Sequence, residues 1–323
     1  MRFLLGRLGH ALLLVLGVSL LSFVFIELAP GDFFDEMRMD PRISPASIEA
    51  LRARYGVDRP LPERYGHWLA STLRGEMGYS FAYGRPVGEL LWGRAARTLG
   101  LTAVAALIAW LIALPLGAFL ASRVGHLSDR LGSTATSALL AVPDLAVALL
   151  LLLVAVRAGA FPTGGMTSFH FDELDAWQRI QDVAWHAALP VTALVLGSLA
   201  VLVRHVRAAV LESLRSPYIH AARGHGISEW RLLFRHALPA AASPLFSLFG
   251  LSIGGLLSSS ILVEVVMGWP GLGPLLLDAI LSRDIHLVVG PVVLSTLFLV
   301  AGNLIADLLI YWTDPRVRMG ADS

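Results

Sequence analysis

The segment SPYIHAARGHGISEWRLLFRHALP, residues 216–239, sets His220, His225 and His236 among Arg223, Arg231 and Arg235, with His205 just ahead of it. Imidazoles at this density invite a metal site. Yet a helical zinc pair needs histidines four residues apart with a supporting acid, and neither H-x-x-x-H nor H-E-x-x-H occurs; His170 and His186 lie elsewhere. No nucleophile elbow is present. The chain has no cysteine, which removes disulfides and thiolate ligands. All 25 basic residues are arginine, so there is no P-loop lysine and no G-x-x-x-x-G-K-[ST]. No catalytic set and no bound cofactor emerge. If ATP drives this protein, another chain binds it.

What must position residues 216–239 is a pair of short helices. Ser216 is placed to cap the first, and Pro217 can occupy its first position, where a missing N–H costs nothing. Gly224 or Gly226 can supply the left-handed residue that ends it. Ser228 can cap the second, in which Trp230, Leu233, Phe234, Ala237 and Leu238 recur at helical spacing as one apolar stripe. Arg231, Arg235 and His236 are left for the other face. Such a capped cationic hairpin suits docking. Its bland alternative is a solvated charged loop, which needs neither caps nor a stripe.

Long apolar runs flank the hairpin. The chain is 56% hydrophobic and only 15% charged, the balance of a membrane protein. A net charge of +1 gives no electrostatic case for nucleic acid. A spanning helix needs about 20 mostly apolar residues. Six segments qualify: 8–29, 98–121, 133–156, 188–206, 240–263 and 288–312. The first is too long for a removable signal peptide and reads as an anchor. The expectation is an all-α polytopic membrane protein with six transmembrane helices, a single domain over 1–323.

Arginine placement orients it. Arg2, Arg7, Arg123, Arg130, Arg204, Arg207, Arg215, Arg223, Arg231, Arg235, Arg316 and Arg318 fall on one side. The short loops 157–187 and 264–287 hold only Arg157, Arg179 and Arg283, with more acids. Both termini and the 207–239 loop are therefore expected in the cytoplasm. The 30–97 segment carries ten arginines but is too long for the short-loop rule to govern. With Tyr55, Trp68, Tyr79, Phe81 and Trp92 among prolines and glycines, it reads as a small extracytoplasmic subdomain.

Few polar groups fall inside the spans. Asn303 and Asp307 lie four apart on one face of the sixth; the readings are a functional acid or, favoured, a hydrogen bond between packed helices. Glu27 and Asp144 read as interfacial residues at span ends. After the fifth span, GWPGLG puts Gly268, Trp269, Pro270, Gly271 and Gly273 together. That backbone suits an outer gate or a surface facing a binding protein, and equally a tight turn. No ordered acid–histidine chain of a proton-coupled carrier is present.

The hairpin resembles the EAA loop of ABC-transporter permeases. In that pattern a glycine follows the second alanine by four residues, and I-x-L-P begins ten residues after the glycine. Ala221, Ala222, Gly226, Leu238 and Pro239 fall in register; His220 stands at the acid position and His236 at the isoleucine. FIELAPGD (25–32), YGVDRPLPERYGHWL (55–69), GEMGYSFAYGRPVGELL (75–91), EVVMGWPGLGPLLLDAI (264–280) and GNLIADLLIYWTDPRVR (302–318) extend the likeness over nearly the whole chain. Together they resemble the dipeptide/oligopeptide/nickel permease family, in its DppB/OppB-like members.

The resemblance implies a type I ABC importer permease fold in a bacterial cytoplasmic (inner) membrane, with lipid around it. It implies a second homologous permease subunit, cytoplasmic ATPases that bind ATP and Mg, an extracytoplasmic substrate-binding protein and alternating access. The cargo is then a di- or oligopeptide, with nickel, haem or another small solute as alternatives. A self-contained channel or secondary transporter is the alternative class. Residues 217–226 would dock in a groove of the ATPase, with Tyr218 and Ile219 as the apolar contact, Arg215 and Arg223 flanking, and Gly226 allowing the reversal.

Overall fold

The computed structural model describes residues 2–29, 31, 33–38, 43–56 and 58–313. Arg316 and Arg318, used above for orientation, lie outside the described residues, as do Pro30, Asp32 and the stretch 314–318. The chain gathers into two compact units, one made of Phe3–Thr98 with Pro270–Leu297, the other of Leu99–Trp269 with the residues from Phe298 onward.

The elements run in chain order as α1 (Arg2–Leu28), α2 (Phe33–Met37), α3 (Pro45–Tyr55), α4 (Leu61–Thr72), β1 (Tyr79–Ser80), β2 (Arg85–Pro86), α5 (Val87–Ser122), α6 (Leu127–Leu140), α7 (Asp144–Ala158), α8 (Ala176–Leu214), α9 (Pro217–Gly224), α10 (Glu229–Leu232), α11 (Leu238–Ala240), α12 (Ala242–Val266), α13 (Leu272–Leu281) and α14 (Ile285–Thr313). The strands form one short antiparallel hairpin, Tyr79 opposite Pro86. Everything else regular among the described residues is helical: this is an all-α polytopic membrane protein. Among those residues five helices are long and apolar enough to cross a membrane, and α6 with α7, bent by 93° at a short break, passes the same test as one broken span or a re-entrant loop.

That bend departs from the continuous 133–156 span read from hydropathy. Pro143 sits at the N-cap of α7 with φ −61° and ψ 143°. A proline also pushes the residue before it out of helical geometry, so the chain breaks at 141–143 although its apolar character does not. Asp144 therefore opens α7.

In the first unit, the segment after α1 folds back on it. Phe23 packs with Trp68, Ile285, Val289 and Val293. Ser19 Oγ meets Tyr65 OH at 3.0 Å, and Arg64 pairs with Glu27 at 2.7 Å. Asp284 is fully buried. It accepts hydrogen bonds from Ser80 Oγ at 2.8 Å and Ala82 N at 3.1 Å, and caps α14 through Leu287 N at 3.2 Å. Of the aromatic residues expected to build this packing, Trp68 is buried, whereas Trp92 is 60% and Tyr79 39% exposed.

In the second unit, α5 turns Ala105, Ala109 and Ala113 to one side, all fully buried, in a cluster with Ala148 and Ala155 of α7 and Leu194, Leu202 and Val203 of α8. Small residues four apart let helices approach closely where lipid offers no hydrophobic drive. Gly117 continues the seam: a Cβ there would lie 2.7 Å from Val206 Cβ and 3.0 Å from Val203 O.

Candidate coupling site

The hairpin belongs to the second unit. At its start Ser216 holds the N-cap backbone of α9 (φ −67°, ψ 148°), and Pro217 takes the first helical position. The expected side-chain cap does not form. Ser216 Oγ turns back to donate to Ser213 O at 2.6 Å, and α9 begins on the Ser216 carbonyl, which accepts from Ile219 N at 3.1 Å. Ser228 likewise occupies the N-cap of α10 without a side-chain bond.

At the other end Gly226, not Gly224, is the left-handed residue, with φ +80°. Gly226 N donates to Arg223 O at 3.0 Å and Ile227 N to Ala222 O at 3.3 Å. These two bonds form a Schellman motif, which satisfies the last carbonyls of α9. Arg223 then clamps α9 to α10: its Nε and Nη2 donate to Glu229 Oε1 and Oε2 at 2.5 and 3.0 Å.

The inner face of the hairpin is apolar. Ile219, Leu232, Leu233 and Ala237 are buried with Ala118 and Ala121 of α5, Val206, Val210 and Leu214 of α8, and Ala241 and Leu245 of α12, while Ala222, Ile227 and Leu238 pack against the cluster. This corrects one expectation. Ile219 is fully buried and roots α9 in its own subunit, so it cannot reach a partner's groove.

A second correction concerns the apolar stripe. Residues Leu233–Ala237 form a π turn between α10 and α11. The wider turn shifts the register. Leu233 and Ala237 go inward, and Trp230 and Phe234 go out, 72% and 48% exposed, with ring centroids 4.3 Å apart. Tyr218 is 49% exposed on α9. His220, Ala221, His225, Arg231, Arg235 and Pro239 are also exposed, and His236 is half-buried.

Buried Asp129 ties α6 to α8, and half-buried Asp144 joins α7 to α12. Asp129 of α6 accepts along one edge of Arg207, from Nε at 2.6 Å and Nη2 at 2.9 Å, and from Gly125 N at 3.2 Å. Asp144 accepts from Ser259 Oγ of α12 at 2.5 Å, and a Cβ on Gly197 of α8 would lie 2.6 Å from Asp144 Oδ1. On α14, Asn303 lies over Gly250, where a Cβ would be 3.0 Å from Asn303 Oδ1 and 2.7 Å from Ala306 Cβ; Asp307 is buried.

The GWPGLG stretch is built as backbone punctuation. Gly268 is left-handed (φ +61°) just past α12, and Gly271 is the N-cap of α13. Trp269 is buried against Val263 and Met267, Gly271 and Gly273 are buried, and Pro270 is half-buried, so only Gly268 is exposed. Among the described residues no group of three or more His, Asp or Glu could hold a metal ion.

Comparison with known proteins settles which kind of chain carries this hairpin. Residues 113–319 match the family model described as binding-protein-dependent transport system inner membrane component, and residues 1–102 match the model of its N-terminal region. The chain belongs to this family. It is similar to the oligopeptide transport system permease protein AppB of Bacillus subtilis (strain 168), 38% identical over 94% of this chain and 95% of that one. It is also similar to the dipeptide transport system permease protein DppB of Escherichia coli (strain K12), 33% identical over 98% and 99%. Among solved structures, the MetNI methionine ABC transporter in an inward-facing form matches with a TM-score of 0.56 and 19% identity, over 69% of this chain and 96% of that one. That likeness speaks for the ABC importer permease fold.

Within this permease family frame, the register of Ala221, Ala222, Gly226, Leu238 and Pro239 coincides with a capped helix, a left-handed turn and the exit from a π turn. The Arg223–Glu229 clamp, the Asp129–Arg207 pair and the Asp144–Ser259 bond were missed. The first had a local signal, opposite charges six residues apart. The others join residues 78 and 115 apart, with no periodic trace in the sequence.

Proposed function

We propose that this chain is one of two pore subunits of an ATP-driven importer in the cytoplasmic membrane of a bacterium, moving di- or oligopeptides by alternating access. Both termini and the hairpin face the cytoplasm, and the segment between α1 and α5 faces out. A second homologous permease completes the pore, an external binding protein delivers cargo, and separate ATPase subunits bind ATP and Mg and carry out the hydrolysis. The peptide cargo is supported by the names of the similar AppB and DppB proteins.

The observation that carries the coupling role is the two-faced hairpin. Its inner face is rooted in α5, α8 and α12, and its outer face offers Tyr218, Trp230 and Phe234 among arginines. A docking helix passes on motion only if it is stiff and firmly attached. The Schellman closure, the Arg223–Glu229 clamp and buried Ile219 supply both. Aromatic and arginine side chains are the usual anchors of protein interfaces. Co-purification tests the assignment: stable association with an ATPase subunit and a second permease is expected, whereas transport by the lone chain in liposomes without ATP contradicts it.

A further inference from the structure

The first unit contains a cavity of about 560 Å³ between the end of α1, helices α2 to α4 and the start of α14. Ligand sites commonly fall between about 300 and 1,000 Å³. Four arginines line this one, Arg52, Arg59, Arg64 and Arg283, against two acids, Glu27 and Asp35. Both acids are engaged: Glu27 with Arg64 at 2.7 Å and Asp35 with Arg38 at 3.1 Å. Arg52 pairs with Asp58 at 2.9 Å. Arg59 reaches only His67, Nη1 to Nε2 at 3.3 Å, and no acid among the described residues pairs with Arg59 or Arg283. Among the described residues the cavity thus holds a surplus of two guanidinium groups.

Two further features shape the cavity. Trp68 lines it and is 5% exposed, its Nε1 sealed within the packing. The backbone is also cut away for the arginine. Gly31 is left-handed (φ +82°), and its missing Cβ leaves room for the Arg283 guanidinium; Arg283 itself has a positive φ of 54°. Beside these groups stands an apolar wall, Phe81 stacked on Phe33 at 5.8 Å and tilted against Phe34 at 5.3 Å.

We propose that this cavity binds a small amphipathic anion, its carboxylate or phosphate held by Arg59 and Arg283, and its apolar part laid on the aromatic wall of Phe33 and Phe81. Guanidinium forks match such oxyanions geometrically. Two sources carry this chemistry, the C-terminus of a short peptide and the headgroup region of an anionic phospholipid. The site stands on the first unit alone and does not depend on how the hairpin couples to a partner.

The test uses the full-length chain in lipid nanodiscs. One arm measures saturable binding of tritiated Ala-Phe and its C-terminal amide in zwitterionic lipid. The other measures phosphatidylglycerol retained on the protein by native mass spectrometry. Binding of the free acid at least tenfold tighter than the amide identifies the peptide source; retained phosphatidylglycerol identifies the lipid. In either case Arg59→Gln with Arg283→Gln weakens the bound probe at least tenfold. Should that variant not fold, Arg59→Gln alone, which removes one guanidinium from the cavity wall, is expected to weaken the probe at least threefold. Binding of neither probe by the parent, or binding that the folded variant leaves unchanged, overturns the proposal.

Discussion

Arg223 grips both Glu229 oxygens along one guanidinium edge, at 2.5 and 3.0 Å, and so closes α9 onto α10 across the Gly226 turn. The guanidinium holds the Glu229 carboxyl below the usual glutamate range, against the opposing effect of its partial burial. A depressed carboxylate contributes stability that is full above its unfolded pKa and is lost as pH falls through the folded one. The two side chains are 38% and 67% exposed, so the pair contributes under about 1 kcal/mol after solvent screening. Melting temperatures of the parent and Glu229→Gln are expected to differ by a constant amount near neutral pH and to converge below about pH 4. A gap that widens in acid contradicts the assignment.

Gly226→Val isolates the turn. Nothing lies within 4 Å of a Cβ at Gly226, so the cost is purely conformational, about 1–3 kcal/mol for a β-branched residue at φ +80°. Binding-protein-stimulated ATP hydrolysis and transport should both fall, and Gly226→Asn, which tolerates the left-handed region, should retain more of each. Full coupling in the valine variant would falsify the role given to the turn.

Two glycines separate packing from propensity. Gly117→Ala must push against Val206 Cβ at 2.7 Å and Val203 O at 3.0 Å and is expected to destabilise by about 1–3 kcal/mol. Gly224 sits at the end of α9 with open space around it, so Gly224→Ala should stabilise by up to about 1 kcal/mol. Thermal unfolding in detergent reads both, and the opposite pair of signs would refute the seam between α5 and α8.

A double-mutant cycle on Asp144→Ala and Ser259→Ala tests the joint at the broken span. The 2.5 Å hydrogen bond predicts a coupling energy of about 1–3 kcal/mol in unfolding, and additive effects would mean the two side chains act independently.

The sequence carried what is periodic or punctuated. Apolar runs of span length mark the membrane helices, and Ser216, Pro217 and Gly226 fall at the positions that start and turn α9. It misassigned Ile219, because Tyr218 and Ile219 look alike as apolar neighbours and only the packing of α9 against Val206, Val210 and Leu214 decides which one is inside. It misread the Trp230 stripe because a π turn has no composition signature, and a helical wheel drawn at 3.6 residues per turn then rotates Trp230 and Phe234 to the wrong side. It also smoothed over the break at Pro143, since mean hydropathy does not register a lost N–H.

The most direct measurement of the central claim is site-specific cross-linking from the hairpin. The chain has no cysteine, so Tyr218→Cys places a single thiol on the outer face of α9. A thiol-directed photo-cross-linker on Tyr218→Cys needs no knowledge of the partner's sequence. In membranes containing the assembled transporter, the account predicts a cross-link to the ATPase subunit, whereas the same probe on Leu73→Cys, an exposed position just after α4, gives none. A cross-link from Leu73 but not from Tyr218 would contradict it.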